Sequence, residues 1–285
     1  MRDDFAIFIL SHGRADNMKT MNMLRKVGYT GKWYIVCDNE DDTLPEYQKK
    51  FGRDKILVFD KLAMSKRMDE GINTADRRAV CYARNVCFDL AKQLGLEYFL
   101  ELDDDYTGIE HRYTDDGVVL KVKQLPEVFD SVCESFVHFL ETTNVATIAM
   151  GQNGDLIGGA KSKRFRERFI RKAMNSFFCK TDRRFWFSGK SNEDVSTYVT
   201  LSNRGVLFFS YLGLTLKVQQ TQSLDGGMSG FYGENSGYIK PFSSVIFAPQ
   251  AIKIATMGNT HHRLHHKIDW NLCAPKILNE KWKKH

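Results

Sequence analysis

Proline is scarce, five in 285 residues, and no Pro-rich, low-complexity or repeated segment divides the chain. No linker between independent domains is expected, and residues 1–285 read as one domain. No apolar run approaches the ~20 residues that a membrane span requires. The opening Met1-Arg2-Asp3-Asp4 carries acids and leads into a short strand-like segment, which is not the pattern of a signal peptide. There is also no Cys-x-x-Cys pair. The six scattered cysteines, Cys37, Cys81, Cys87, Cys133, Cys179 and Cys273, read as buried free thiols of a reducing compartment, the cytoplasm. That excludes a disulfide frame and a structural zinc site. What remains is ordinary globular material, 42% hydrophobic and 27% charged, enough for one large α/β domain.

The first hundred residues alternate. Phe5–Leu10, Lys32–Cys37 and Lys55–Phe59 read as strands, each followed by polar or acidic residues. Helices are expected from Asp16 to Gly28, with apolar positions at Met18, Met21, Leu24 and Val27, from Thr43 to Phe51, and from about Thr74 to Gln93. This order predicts a doubly wound, mostly parallel sheet whose strand ends Ser11–Arg14, Asp38 and Asp103–Asp105 share one edge. Further on, Ile109–Tyr113 and Val118–Val122 flank Asp115-Asp116-Gly117 as a hairpin. Pro126 to Thr142 is a helix and Val145–Met150 a strand. Asn192 to Asn203 is a helix, Val206–Tyr211 and Leu214–Val218 are strands, and Ser223 to Gly237 is a glycine-rich loop.

The chemistry concentrates in Glu97-Tyr98-Phe99-Leu100-Glu101-Leu102-Asp103-Asp104-Asp105, an apolar strand that runs into three carboxylates. Adjacent carboxylates repel, and a hard divalent cation offsets that cost. Asp103 and Asp105 suit a metal that also holds a diphosphate; the plainer alternative is a solvated acidic turn. In His261-His262-Arg263-Leu264-His265-His266, one imidazole would serve as a further ligand, and two Asp with one His favour Mn²⁺ or a tolerant Mg²⁺ site. Glu193 and Asp194 stand at a helix start, where the dipole favours ionised carboxylates. There Asp194 would be a general base kept ready at neutral pH.

Lysine and arginine crowd the stretch from Lys161 to Lys190 against only Glu167 and Asp182, an excess larger than the +6 of the whole chain. Lys163, Arg164, Arg166, Arg168 and Arg171 suit phosphates, and Phe177, Phe178, Phe185, Trp186 and Phe187 either stack on exposed bases or fill the core.

Together these features resemble a GT-A glycosyltransferase. Ile7-Phe8-Ile9-Leu10-Ser11-His12-Gly13-Arg14, Tyr34-Ile35-Val36-Cys37-Asp38-Asn39-Glu40-Asp41, Ala83-Arg84-Asn85, Leu102-Asp103-Asp104-Asp105-Tyr106 and the late His-rich turn resemble, in order, the motifs of the phage TET-associated glycosyltransferases. The likeness is specific in the first 110 residues and looser from Gly151 to Gly237. It implies a GT-A-like, Rossmann-type fold with a nucleotide-sugar half, 1–110, and an acceptor half, 111–285. It implies transfer from a UDP-sugar, with Mn²⁺ or Mg²⁺, to 5-hydroxymethylcytosine or a related 5-hydroxymethylpyrimidine in phage DNA, in the host cytoplasm. Ser11, Arg14 and Asp38 would hold uridine and ribose, with His12 and Asp104 in the same nucleotide-sugar site. Arg84 would meet the diphosphate. Asp103 would reach ribose or sugar through the metal, Asp105 would ligate it directly, and His262 or His265 would complete its shell. Asp194, beside Glu193, would be the base of an inverting enzyme; without a carboxylate there, the mechanism would be retaining. The alternatives are a protein, glycan or lipid acceptor, a nucleotidyltransferase, or a nucleic-acid-binding module without catalysis.

Overall fold

A computed structural model describes residues 1–72, 75–156, 158–218, 239–257 and 263–273. The expected loop Ser223 to Gly237 lies outside them.

Four parallel strands build the first half: β1 (Phe5–Leu10), β2 (Lys32–Asp38), β3 (Ile56–Phe59) and β4 (Tyr98–Asp103), in the order β3-β2-β1-β4. Every residue of β1 is buried. Its alternate residues serve two cores, Phe5, Ile7 and Ile9 on one face and Ala6, Phe8 and Leu10 on the other. A strand covered on both faces needs an unbroken apolar run, which is what this sequence supplies. Each fully buried Phe contributes about 1.5–3 kcal/mol. The first core is closed by α1 (Lys19–Lys26) and α5 (Phe129–Thr142), the second by α4 (Cys81–Gln93) and α7 (Glu193–Ser202). Two short helices, α2 (Leu44–Phe51) and α3 (Lys61–Ser65), connect the strands.

The sheet continues through β5 (Gly108–Tyr113), β6 (Lys121–Gln124), β7 (Thr147–Gly151), β8 (Phe169–Ile170), β9 (Phe177–Lys180) and β10 (Phe208–Lys217). The order beyond β4 is β9-β7-β10-β5-β6, and β8 pairs with β10. Of its ten strands, β5, β8 and β9 run against the rest, so the expected α/β, mostly parallel sheet is borne out. The short helix α6 (Lys163–Glu167) precedes β8. A separate ribbon of β11 (Ile252–Met257) and β12 (Arg263–Ile268) follows α8 (Ile239–Phe247). The six cysteines are free and buried.

Three expectations are corrected. The helix expected from about Thr74 begins at Cys81. Asp76 explains part of the delay, because its carboxylate takes the Arg78 backbone N–H at 2.9 Å and the Arg78 guanidinium, a local turn that competes with helix. The strands Val206–Tyr211 and Leu214–Val218 are one strand, β10. It pairs parallel with β7, shifts register between Tyr211 and Thr215, and then pairs antiparallel with β5. The second hairpin strand starts at Lys121, because Asp116 accepts the Val118 and Val119 N–H groups and holds them in the turn.

One joint ties the connector before α4 to the segment before α7. Gly189 N–H donates to Asp69 O at 2.8 Å, Lys190 N–H to Glu70 O at 3.0 Å, and Lys190 Nζ lies 2.8 Å from the Glu70 carboxylate. The Phe247 ring of α8 packs over Gly71 (φ 67°) and Gly189 (φ 92°), where a Cβ would stand 2.5 and 2.9 Å from it.

Candidate active site

The register of the parallel strands aligns their carboxyl ends. Leu10 pairs with Val36 on one side and with Asp103 on the other, so Ser11, Asp38 and Asp103 share one edge. Ser11 Oγ donates to Asp104 Oδ2 at 2.5 Å and sits 2.6 Å from the Tyr47 hydroxyl. Arg14 Nη1 donates to the other Asp104 oxygen at 3.0 Å, and the Tyr47 hydroxyl also accepts the Arg14 backbone N–H. Asp104 is 3% exposed, and burial raises its carboxyl above the usual range despite Ser11 and Arg14. Asp38 accepts from His12 Nδ1 at 2.8 Å and pairs with Lys61 Nζ at 3.1 Å. Burial alone would raise the Asp38 carboxyl, but His12 and Lys61 outweigh it and hold it low. The Asp38 hydrogen bond in turn raises His12.

Asp103 and Asp105 differ. Asp103 accepts from Arg84 Nη2 at 3.0 Å and from the Tyr106 hydroxyl at 2.8 Å. Among the described residues no side chain hydrogen-bonds or pairs with the Asp105 carboxylate. Burial, then the charges of Asp103 and Asp104, push it up to about 6. The partners of Arg84 are not those expected of a phosphate-reaching arm. It is 3% exposed and committed to Asp103, to Glu193 through Nε at 3.2 Å, and to Glu101. Glu101 is fully buried in β4, and burial drives its carboxyl well above the ordinary range.

A cleft of about 1050 Å³ brings Arg84, Asp103, Glu193 and Asp194 together with Lys172, Lys240, His265 and His266. Its lining does not include Ser11, His12, Arg14, Asp38 or Asp105. Asp194 Oδ1 accepts the Val195 N–H at 2.8 Å. The expected effect of the helix start is overturned here. Burial, then the charge of Glu193, outweigh it and push Asp194 up to about 7. Burial and then His265, Lys240 and Lys172 push His266 down to about 4, so it is a neutral imidazole at pH 7. His262 lies outside the described residues, and no three metal-ligating side chains converge among those described.

The basic stretch divides. Arg164 and Arg171 are exposed and line the cleft, and Arg166 and Lys163 are exposed on α6, with Lys163 3.6 Å from Glu167. Arg168 turns inward: its guanidinium lies 4.0 Å from the Phe165 ring and donates to Arg112 O at 3.2 Å. Lys172 pairs with Asp155, Arg184 with Asp89 and Lys190 with Glu70, while Arg183 Nη1 donates to the carbonyls of Leu140, Thr143 and Val145. Phe177, Phe178, Phe185 and Phe187 are core, and the Trp186 ring lies 5.4 Å from the Arg67 guanidinium carbon and 4.1 Å from that of Arg184.

Sequence reasoning gave no site role to Glu101, Tyr106, Tyr47, Lys61 or Lys240. Only Glu101 carries a local signal, an acid inside an apolar strand two residues before Asp103 and so on its face.

Among solved structures, a mycobacterial protein aligns at a TM-score of 0.47 with 7% identity, covering 93% of this chain and 83% of that one. Glucosyl-3-phosphoglycerate synthase from Mycobacterium tuberculosis, in complex with Mg²⁺ and UDP, aligns at 0.44 with 8% identity, covering 93% and 87%. GalNAc-T7 with UDP, GalNAc and Mn²⁺ aligns at 0.35 with 11% identity, covering 86% and 50%. No curated protein matches the sequence. The family model of the TET-Associated Glycosyltransferases matches residues 5–227, which span the strand-end acids, Arg84 and the Glu193–Asp194 helix start, and the chain belongs to that family.

Proposed function

We propose that this glycosyltransferase moves a sugar from a UDP-sugar to the hydroxymethyl group of 5-hydroxymethylcytosine, or a related 5-hydroxymethylpyrimidine, in phage DNA. One observation carries the reading: Asp103 at a strand end and Asp194 at a helix start line the same cleft, with exposed Arg164 and Arg171 on its wall. Ser11, His12, Arg14, Asp38 and Asp104, on the edge shared with Asp103, are the residues assigned to the nucleotide.

A divalent ion suits these residues. The Asp105 carboxylate has no side-chain partner among the described residues and is raised to about 6 by its acidic surroundings, which a cation would relieve. Asp103 and Asp105 would hold Mn²⁺ or Mg²⁺ together with His262; His265 is set aside as the third ligand, because it does not converge with both carboxylates. Bound there, the ion supplies Lewis-acid stabilisation of the leaving diphosphate. The chain's own part is proton transfer and positioning. Asp194 accepts the proton of the acceptor hydroxyl while its oxygen bonds to the anomeric carbon and the bond to UDP breaks. A carboxyl near 7 suits this task, since it is a stronger base than an ordinary Asp and is still substantially ionised at neutral pH. Attack with Asp194 as base inverts the anomeric centre. The hydroxymethyl group of a paired base is reached through the major groove or by flipping the nucleotide out, and exposed arginines hold phosphates in either case.

The test is incubation with hydroxymethylcytosine DNA, Mn²⁺ and a panel of UDP-sugars, followed by nucleoside mass measurement. A sugar-sized gain confined to the hydroxymethylated nucleoside is expected. UDP release without any gain on DNA would move the acceptor to protein, glycan or lipid.

A further inference from the structure

Arg84 lines the cleft and is held by groups that fix its direction. Phe177 and Phe187 rings lie 4.9 and 5.8 Å from the guanidinium carbon. Its Nε donates to Glu193 Oε1 at 3.2 Å and its Nη2 to Asp103 at 3.0 and 3.3 Å. Nη1 stands 3.7 Å from Glu101 Oε2, too far for a hydrogen bond, and among the described residues Nη1 makes no hydrogen bond. The planar fork meets the two carboxylates in a fixed geometry, which a lysine's flexible ammonium does not impose.

The two hydrogen-bonded carboxylates belong to different parts of the fold. Asp103 ends β4 and Glu193 opens α7, 90 residues later. We propose that Arg84 is a positioning residue that couples them, so that cation binding at Asp103 and the placement of the Glu193–Asp194 pair depend on each other. A cation drawing on the Asp103 oxygens competes with Arg84, whose charge then falls more fully on Glu193. Removing the Glu193 charge does the reverse: it leaves the guanidinium to Asp103 and disfavours the cation. Such coupling is reciprocal by linkage. The inference rests on the proposed reading of Asp103 as a donor-side, metal-holding carboxylate.

The experiment measures Mn²⁺ affinity by electron paramagnetic resonance in the full chain, in Glu193→Gln, in Arg84→Lys and in the double variant. Glu193→Gln is expected to weaken Mn²⁺ by at least about fivefold, the lower end of typical coupling. In the Arg84→Lys background the same substitution should have a smaller effect, and Arg84→Lys should lower turnover more than it weakens UDP binding. Equal Mn²⁺ affinity in the full chain and Glu193→Gln overturns the coupling, even where UDP-sugar turnover is intact. Absence of Mn²⁺ binding by the unaltered chain refutes the metal reading. The coupling is then read from thermal unfolding of Asp103→Asn, Glu193→Gln and their combination, in which Arg84 is retained whether or not Arg84→Lys folds. Non-additive shifts support it, and additive shifts overturn it.

Discussion

The strand-end acids Asp103–Asp105 and the helix-start acids Glu193–Asp194 handle crowded negative charge by different means. At the strand end the crowding is distributed: Asp104 goes to Ser11 and Arg14, Asp103 to Arg84 and Tyr106, and Asp105 has no side-chain hydrogen bond or ion pair among the described residues. At the helix start, Glu193 takes Arg84, and Asp194 has the Val195 N–H and a raised proton affinity. In each station one carboxylate is poorly partnered, Asp105 in the first and Asp194 in the second, and the proposed reading gives the first a share in a cation and the second a proton.

The largest test of this contrast is Asp105→Ala. Loss of a Lewis acid worth several kcal/mol should reduce metal-dependent turnover by about 10³-fold or more. The metal-free variant should unfold at a higher temperature. An Asp raised to about 6 is ionised at a cost at neutral pH, and alanine removes that cost. Full turnover at saturating Mn²⁺ would end the distinction between Asp105 and its neighbours.

Next in size is Asp194→Asn, which should slow transfer by ~10²–10⁴-fold with UDP binding nearly unchanged. NMR of the modified nucleoside should show the anomeric configuration opposite to the donor. Retention would remove Asp194 from the role of base.

A third outcome sharpens the contrast through pH. Because the base must be ionised, transfer should rise about tenfold per unit up to pH 7 and then level. Stability runs the other way. Between the ordinary value of 3.8 and about 7 the folded state holds the Asp194 proton that the unfolded state releases, so stability should fall as pH rises through that window. In Asp194→Asn both trends should flatten, as read by rate profiles and thermal melts.

The smallest effects concern the exposed arginines of the basic stretch. Neutralising Arg164, Arg166 and Arg171 should each lower the log–log salt slope of DNA binding by about one unit, with little change in melting temperature. Neutralising Arg183 should do the opposite, leaving the slope unchanged and lowering the melting temperature. An unaltered slope in all three outer variants would return that stretch to a solvated surface.

The contrast between Arg164 and Arg183 also marks what a sequence can reveal. β1 was legible to the residue, because a strand covered on both faces must be apolar throughout, and the common edge of Ser11, Asp38 and Asp103 followed from strand–helix alternation. The fate of each charge in 161–190 was not legible. Arg183 turns inward because the end of α5 leaves carbonyls at Leu140, Thr143 and Val145 that need a donor, and that need arises some 40 residues away. Tyr47 and Lys61 were invisible for the same reason: their partners Ser11, Arg14 and Asp38 are brought to them by the fold. The proton affinity of Asp194 depends on burial, which local spacing does not encode, and so the dipole was overweighted. His262 lies outside the described residues, and its role is unaltered by what is seen.

The joint at Phe247 sets a rule for exchanging parts between related chains. Residues 69–71, 189–190 and 247 come from three separate stretches, yet the ring leaves no room for a Cβ at Gly71 or Gly189. A chimera that imports a foreign C-terminal half, cut anywhere between residues 72 and 188, therefore inherits the ring and one glycine from one parent and the other glycine from the second. Such a hybrid is viable only where both parents keep the same triad. The portable unit of this enzyme is thus a discontinuous one, and exchange of its C-terminal half succeeds by transplanting the three pieces together.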